Sequence, residues 1–266
     1  FRQIARQGAI VPVYKEILAD VETPVTAYIK LAKNQRYSFL LESVEQADRL
    51  GRYSFLGANP STVFCSKGTT VTITRDGRAT SFESRDPLDD LRKHMQEYRP
   101  IRVAGLPEFH GGAVGYISYD EVRHFEKLPD ANPDTLNAPD LYFMITDTIL
   151  IFDHVNNRLK IVSNAHVQGD PLAAYKEAIR KIDEIEQTLR KPLVLTTERI
   201  HTGTVNEEPT SSFTRDSFCE AVRRAKEYIK AGDAFQIVLS QRFERELHAS
   251  PVNVYRALRC MNPSPY

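Results

Sequence analysis

Residues 37–57 read Tyr-Ser-Phe-Leu-Leu-Glu-Ser-Val-Glu-Gln-Ala-Asp-Arg-Leu-Gly-Arg-Tyr-Ser-Phe-Leu-Gly, and they set the frame for the rest of the chain. From Tyr37 to Leu41 the side chains are aromatic, hydroxyl, aromatic and aliphatic, which suits a mostly buried strand. The charged stretch 45–49 interrupts it, and residues 52–56 read as the returning strand. Glu42 and Ser43 place a carboxylate and a hydroxyl at the end of this otherwise apolar pair. Such groups either close the strand by bonding a turn, the commoner outcome for so short a pattern, or accept from an ammonium and donate to a carboxylate, the two groups of a free amino acid.

Outward from this pair, residues 62–66 and 70–74 are expected as strands. Asp76-Gly77 is a hairpin turn signal, and a further strand is expected over 79–83. Asp86 can cap a helix that has Pro87 at its first position, with Leu88, Leu91, Met95 and Tyr98 on one face. Another helix is expected over 120–127. The apolar stretch 141–152, broken by Thr146-Asp147-Thr148, and the stretch 158–163 read as a buried hairpin turning at 154–157. Leu172, Tyr175, Ile179, Ile182, Ile185 and Leu189 define an amphipathic surface helix over 171–190.

The polar run 196–212 is the linker candidate. Beyond it, Thr214 caps a helix with Phe218, Val222, Ala225 and Ile229 on one face and Gly232 past its end. A strand is expected over 234–243, and Ser250-Pro251 starts a last helix that Pro263 ends. In that strand Gln236 would point away from the Phe235, Ile237 and Leu239 face. The chemistry of a lone glutamine there is more often structural than catalytic.

Composition narrows the class. At about 100 to 200 residues per domain, a chain of this length holds one or two domains. The chain carries 35 basic and 35 acidic residues, a formal charge of zero. It therefore has no general field for nucleic acid or an anionic membrane. Cys65, Cys219 and Cys260 are widely spaced without a Cys-x-x-Cys, which argues against a disulfide framework or a cysteine zinc site. The stretch 141–152 is too short to span a bilayer as a helix. A cytoplasmic protein is expected, and the start at Phe1 suggests a truncated or processed terminus with no signal peptide. Gly111, Gly112 and Gly115 fit neither Gly-x-Gly-x-x-Gly nor a phosphate loop, so close backbone approach or a bulge is the expected role. The histidines form no His-Glu-x-x-His, and no Gly-x-Ser-x-Gly elbow is present.

Four ordered segments resemble the large-subunit family of anthranilate synthase. They are the stretch 40–57, Gly111-Gly112-Ala113-Val114-Gly115-Tyr116-Ile117-Ser118-Tyr119-Asp120, Gly232-Asp233-Ala234-Phe235-Gln236-Ile237-Val238-Leu239-Ser240-Gln241-Arg242, and Asn262-Pro263-Ser264-Pro265-Tyr266. The resemblance implies an α+β fold with a sheet-rich amino-terminal domain over 1–165, a helix and linker over 166–212, and the start of a chorismate-binding domain over 213–266. It implies conversion of chorismate and ammonia to anthranilate and pyruvate, the first step of tryptophan biosynthesis. A partner glutamine amidotransferase subunit would supply the ammonia, and Mg2+ would assist.

In relatives that add water to chorismate, a lysine at the position of Gln236 is thought to act as base. A neutral amide cannot, so Gln236 favours amination and is the candidate catalytic residue. The family's metal ligands and main catalytic groups lie in motifs beyond Tyr266, so no metal ligand is assigned and these 266 residues alone are expected to be inactive. The resemblance further implies inhibition by L-tryptophan at a separate site that includes Ser43, Pro265 and Tyr266, with Leu41 and Glu42 as neighbours. The alternatives are the para-aminobenzoate synthase large subunit and an amino-acid-binding regulatory module without catalysis.

Overall fold

The computed structural model of the protein describes residues 1–6, 9–42, 51–98, 100–129, 132–193, 208–264 and 266. In chain order the elements are β1 (Ile10–Leu18), α1 (Pro24–Ala32), β2 (Ser38–Glu42), β3 (Tyr53–Ala58), β4 (Thr62–Lys67), β5 (Thr70–Arg75), β6 (Arg78–Glu83), α2 (Pro87–Gln96) and β7 (Gly112–Ile117). A short 3-10 helix follows (Tyr119–His124), then β8 (Leu141–Thr146), β9 (Thr148–Asp153), β10 (Arg158–His166), α3 (Pro171–Leu189), β11 (Thr210–Ser211), α4 (Arg215–Ala231), β12 (Phe243–Glu244) and α5 (Pro251–Met261). The fold is α+β, as expected.

Two compact units are resolved: Phe1–Val194 together with Pro263–Tyr266, and Leu195–Asn262. The first holds two five-stranded antiparallel sheets, ordered β1-β10-β9-β3-β2 and β6-β5-β4-β8-β7. β9 is apolar on both faces because both are covered. Leu150 and Phe152 point with Leu56, Leu159 and Ile161 into a core shared with Ala27 of α1 and with Ala178 and Ile182 of α3. Ile149 and Ile151 point the other way with Phe39, Phe55 and Val162, against Val114 and Met144 of the second sheet. A third cluster joins Phe64, Val71 and Leu141 to Leu88, Leu91 and Met95 of α2. Each fully buried aliphatic side chain in these clusters stabilises the fold by roughly 1.5–3 kcal/mol over its exposed state.

The stretch 141–152 is not one strand. It divides at Asp147, so that β8 lies in the second sheet and β9 in the first. Polar groups of β10 hold the division: the Asp147 carbonyl accepts from the Asn164 N–H (2.8 Å) and Nδ2 (3.1 Å), and its carboxylate pairs with His166 Nε2 at 2.9 Å. The turn 154–157 joins β9 and β10 in the hairpin that the sequence predicts.

Other expectations meet the structure directly. Asp86 caps α2 by accepting from the Asp89 N–H at 2.9 Å, and the Asp76-Gly77 turn joins β5 to β6. Gly115 permits the close approach expected of it, since a Cβ there would collide with the Tyr142 carbonyl across the β7–β8 pair. The helix expected over 120–127 is instead the short 3-10 helix Tyr119–His124. Helix α3, expected within a helix-and-linker segment, packs on β10 and β1 as part of the first unit.

In the second unit, Thr214 accepts from the Ser217 N–H at 3.2 Å to cap α4, and Gly232 at φ 84° ends it in the left-handed region. The strand expected over 234–243 does not form. Among the described residues Phe243 and Glu244 pair with Ser211 and Thr210, and the Arg242 carbonyl accepts from the Ser212 N–H at 2.9 Å, while Phe235 and Val238 stand 96% and 80% exposed. A strand without a ladder partner leaves its N–H and C=O groups to water and gains nothing from the extended form.

Candidate functional site

The two strands of the 37–57 stretch pair antiparallel at one end of the first sheet, with Leu41 opposite Phe55 and Glu42 opposite Ser54. β2 is the outer strand, so its far side is open to a further segment. Tyr266 takes that place. Its N–H donates to the Glu42 carbonyl at 3.1 Å, its ring lies 6.2 Å from that of Phe55, and its hydroxyl reaches the Tyr53 carbonyl at 3.5 Å. The phenol is half-exposed, and partial burial pushes its pKa up. Phe55 in turn meets Phe109 edge-on at 5.2 Å. Three aromatic rings and Leu41 thus form an apolar wall at the strand end.

Polar groups frame the wall. Arg52 Nε and Nη2 donate to the two oxygens of Asp153 at 3.2 and 2.8 Å, a bidentate pair, and the guanidinium lies 4.9 Å from the Tyr53 ring centre. Asp153 is buried and also accepts from Asn156 Nδ2 at 2.9 Å. Burial pushes its carboxyl up, but the bonds from Arg52 and Asn156 outweigh this and hold it below the usual range. The pairing raises the Arg52 pKa in return. Next to them, the Ser54 hydroxyl lies 2.7 Å from His154 Nε2.

Of the residues the sequence singles out, Leu41, Glu42 and Tyr266 come together here. Ser43 and Pro265 lie outside the described residues. Glu42 is only 5% exposed and its side chain, opposite Ser54, lies on the sheet face away from Leu41 and Phe55, so it is the backbone carbonyl of Glu42 that belongs to the corner. Gln236 is exposed, in the unpaired segment of the second unit. Arg52, Tyr53, Phe55 and Asp153 are the members that sequence reading left unassigned. Their signal lay in the antiparallel register, which sets residues 52–56 beside 41 and 42. Two concavities elsewhere, of about 650 Å³ and 550 Å³, lie around α2 and include none of the expected residues. Among the described residues no three His, Cys, Asp or Glu side chains converge to hold a metal ion. No helix among them is long and apolar enough to cross a membrane.

A wall of aromatic rings beside a guanidinium and backbone carbonyls suits a ligand with an aromatic side chain and a charged, hydrogen-bonding head. Comparison with known proteins adds the wider context. Residues 37–266 match the family described as chorismate binding enzyme. Anthranilate synthase component 1 of Thermus thermophilus is 42% identical over 96% of this chain and 52% of its own length, and that of Acetivibrio thermocellus is 38% identical over 99% and 54%. The crystal structure of anthranilate synthase component I from Streptococcus pneumoniae superposes with a TM-score of 0.62 at 27% identity, covering 94% of this chain and 53% of that one. The chain spans about half the length of the relatives it matches.

Proposed function

The chain belongs to the chorismate-binding enzymes, and from that membership we propose that it is the amino-terminal part of an anthranilate synthase component I. The observation that carries this reading is the identity of 38–42% to proteins of that name across nearly all of the chain. The activity proposed for the whole protein is conversion of chorismate and ammonia to anthranilate, pyruvate and water. It would act in the cytoplasm, with ammonia from a glutamine amidotransferase subunit and with Mg2+ as cofactor.

Within this reading the two units have separate tasks. Gln236 lies in the unit that begins the chorismate-binding domain. A neutral amide does not take a proton from water near pH 7, which leaves ammonia as the nucleophile. The corner of β2, β3 and Tyr266 is the proposed L-tryptophan effector site. The indole would lie on the Tyr266–Phe55 wall, and the carboxylate would accept from the Ser43 hydroxyl. Inhibition then requires tryptophan to bind a less active state more tightly than the active one.

The test is an assay of the full-length protein with chorismate, magnesium and an ammonium salt, read by anthranilate fluorescence and by chromatography of the products. Anthranilate and pyruvate in equal amounts support the reading. Para-aminobenzoate as the product, or tryptophan binding without any turnover, would replace it.

A further inference from the structure

β6 is the outer strand of the second sheet, and all six of its residues are exposed. The Asp76-Gly77 turn has φ of 49° and 77°, a two-residue turn of the primed type that closes the hairpin on Arg75 and Arg78 as a hydrogen-bonded pair. At the other end the Ser84 N–H donates to the Thr69 carbonyl at 2.7 Å, in step with the same alternation. The backbone groups of Arg78, Thr80 and Phe82 are therefore directed to β5, and those of Ala79, Ser81 and Glu83 face the open side. Proteins blunt such an edge with lysine, proline or a bulge. Residues 78–83 contain no lysine or proline and pair with β5 one to one without a bulge, and the charges stand only at the two ends. By contrast, β1 at an edge of the first sheet carries Pro12 and Lys15, and β2 at its other edge receives Tyr266.

We propose that this edge pairs antiparallel with β6 of a second copy of the chain. Outward-facing residues must meet outward-facing residues, which restricts a two-fold pairing to axes through a residue. With the axis at Thr80, Ala79 and the partner's Ser81 exchange backbone hydrogen bonds, as do Ser81 and the partner's Ala79. The closer, non-hydrogen-bonded positions then set Arg78 opposite the partner's Phe82 on both sides of the axis. Those two groups are complementary. The Arg78 side chain makes no ion pair or hydrogen bond among the described residues, and Phe82, on the same face of the strand, is 40% exposed. A guanidinium over an aromatic face is attractive, and here each strand supplies both halves. Like charges are not opposed, because Glu83 points to the opposite face, where the hydroxyls of Thr69 and Thr70 hold it at 2.6 and 2.9 Å. The second copy is favoured over an unrelated strand because this fit is symmetric.

The test combines sedimentation velocity with hydrogen exchange on the purified chain across a series of concentrations. The expected result is a concentration-dependent dimer in which exchange slows at the amides of Ala79 and Ser81. Thr80 and Phe82, bonded to β5, should be protected at every concentration. Ser81→Pro removes a backbone donor from the open side together with the exposed hydroxyl contact to Thr72 at 2.9 Å, so it should abolish the dimer with no more than a small drop in the thermal midpoint. Arg78→Glu, which keeps every backbone donor, should raise the dissociation constant about tenfold. A monomer throughout, or a dimer whose Ala79 and Ser81 amides exchange as fast as in the monomer, would overturn the proposal. So would a dimer that survives both substitutions; if Ser81→Pro does not fold, Arg78→Glu and the exchange pattern decide.

Discussion

The backbone N–H of Tyr266 donates to the carbonyl of Glu42 at 3.1 Å, and so the last residue of the chain is seated on the last residue of β2. Two of the segments that carry the family resemblance, far apart in sequence, meet at this bond. The contact belongs to the first compact unit, which takes in residues 263–266.

The frame of that corner depends on Asp153. It accepts from both Arg52 nitrogens and from Asn156, and a hydrogen bond to a charged group is worth about 1.5–3 kcal/mol. Arg52 is partly exposed, so the lower end applies. Asp153→Asn should lower stability by about 1.5 kcal/mol at neutral pH. Because the folded Asp153 pKa is depressed, its contribution is present above the unfolded value and disappears as pH falls through the folded value. Denaturant midpoints of parent and variant should therefore converge in acid. A difference that is constant with pH would assign the effect to packing.

Glu121 should show the opposite sign. It is 2% exposed, neither carboxylate oxygen has a hydrogen-bond partner among the described residues, and His124 Nε2 lies 3.9 Å from Oε2. Burial pushes its pKa up, the His124 imidazolium opposes this, and Asp140 and Asp86 add to it. A raised folded pKa contributes stability that is full below the unfolded pKa and is lost as pH rises through the folded one. Relative to the parent, Glu121→Gln should thus gain stability as pH is raised from acid toward neutral. A thermal-midpoint difference that does not change over that range would show that Glu121 titrates normally.

Gly115→Ala addresses the glycine-rich segment. The added methyl would meet the Tyr142 carbonyl of β8, a backbone atom that cannot rotate away. Overpacking of this kind costs about 1–3 kcal/mol, so a clear drop in the denaturation midpoint is expected. An unchanged midpoint would mean that β7 and β8 are not held this closely.

These sites also mark what the sequence made legible. Strand and helix boundaries with a local chemical signal were readable: Asp76-Gly77 for the hairpin, Asp86-Pro87 and Thr214 for helix starts, Gly232 for a helix end. Elements defined by distant partners were not. β1 carries Pro12 in mid-strand, tolerable because the strand lies at an edge, and edge position is invisible in one sequence. The stretch 141–152 carries its break at Thr146-Asp147-Thr148, but the apolar runs on either side of it do not show that the two halves serve different sheets. Residues 234–242 have strand-like composition, but composition supplies no partner. At the β2 corner, Leu41, Glu42 and Tyr266 are residues the family resemblance names, and the structure brings them near one another, whereas Arg52, Phe55 and Asp153 join them through strand register.

Gln236 is to be tested in the full-length protein. If the neutral amide matters because it leaves ammonia as the nucleophile, Gln236→Lys should lower ammonia-dependent anthranilate formation, with traces of isochorismate as the hydration product. Steady-state rates with chorismate and ammonium salt decide the point. Unchanged turnover would remove Gln236 from the active site.

The central claim is that the β2 corner holds the feedback inhibitor, and Ser43→Ala in the full-length protein tests it most directly. Loss of a hydrogen bond to the ligand carboxylate, worth roughly 1.5–3 kcal/mol, should weaken tryptophan inhibition about tenfold to a hundredfold. Since Ser43 would touch the effector and not chorismate, kcat and KM without tryptophan should stay near the parent values. The measurement is a tryptophan titration of chorismate turnover in both proteins: a shifted inhibition curve with intact uninhibited kinetics is the predicted result, and superimposable curves would contradict the account.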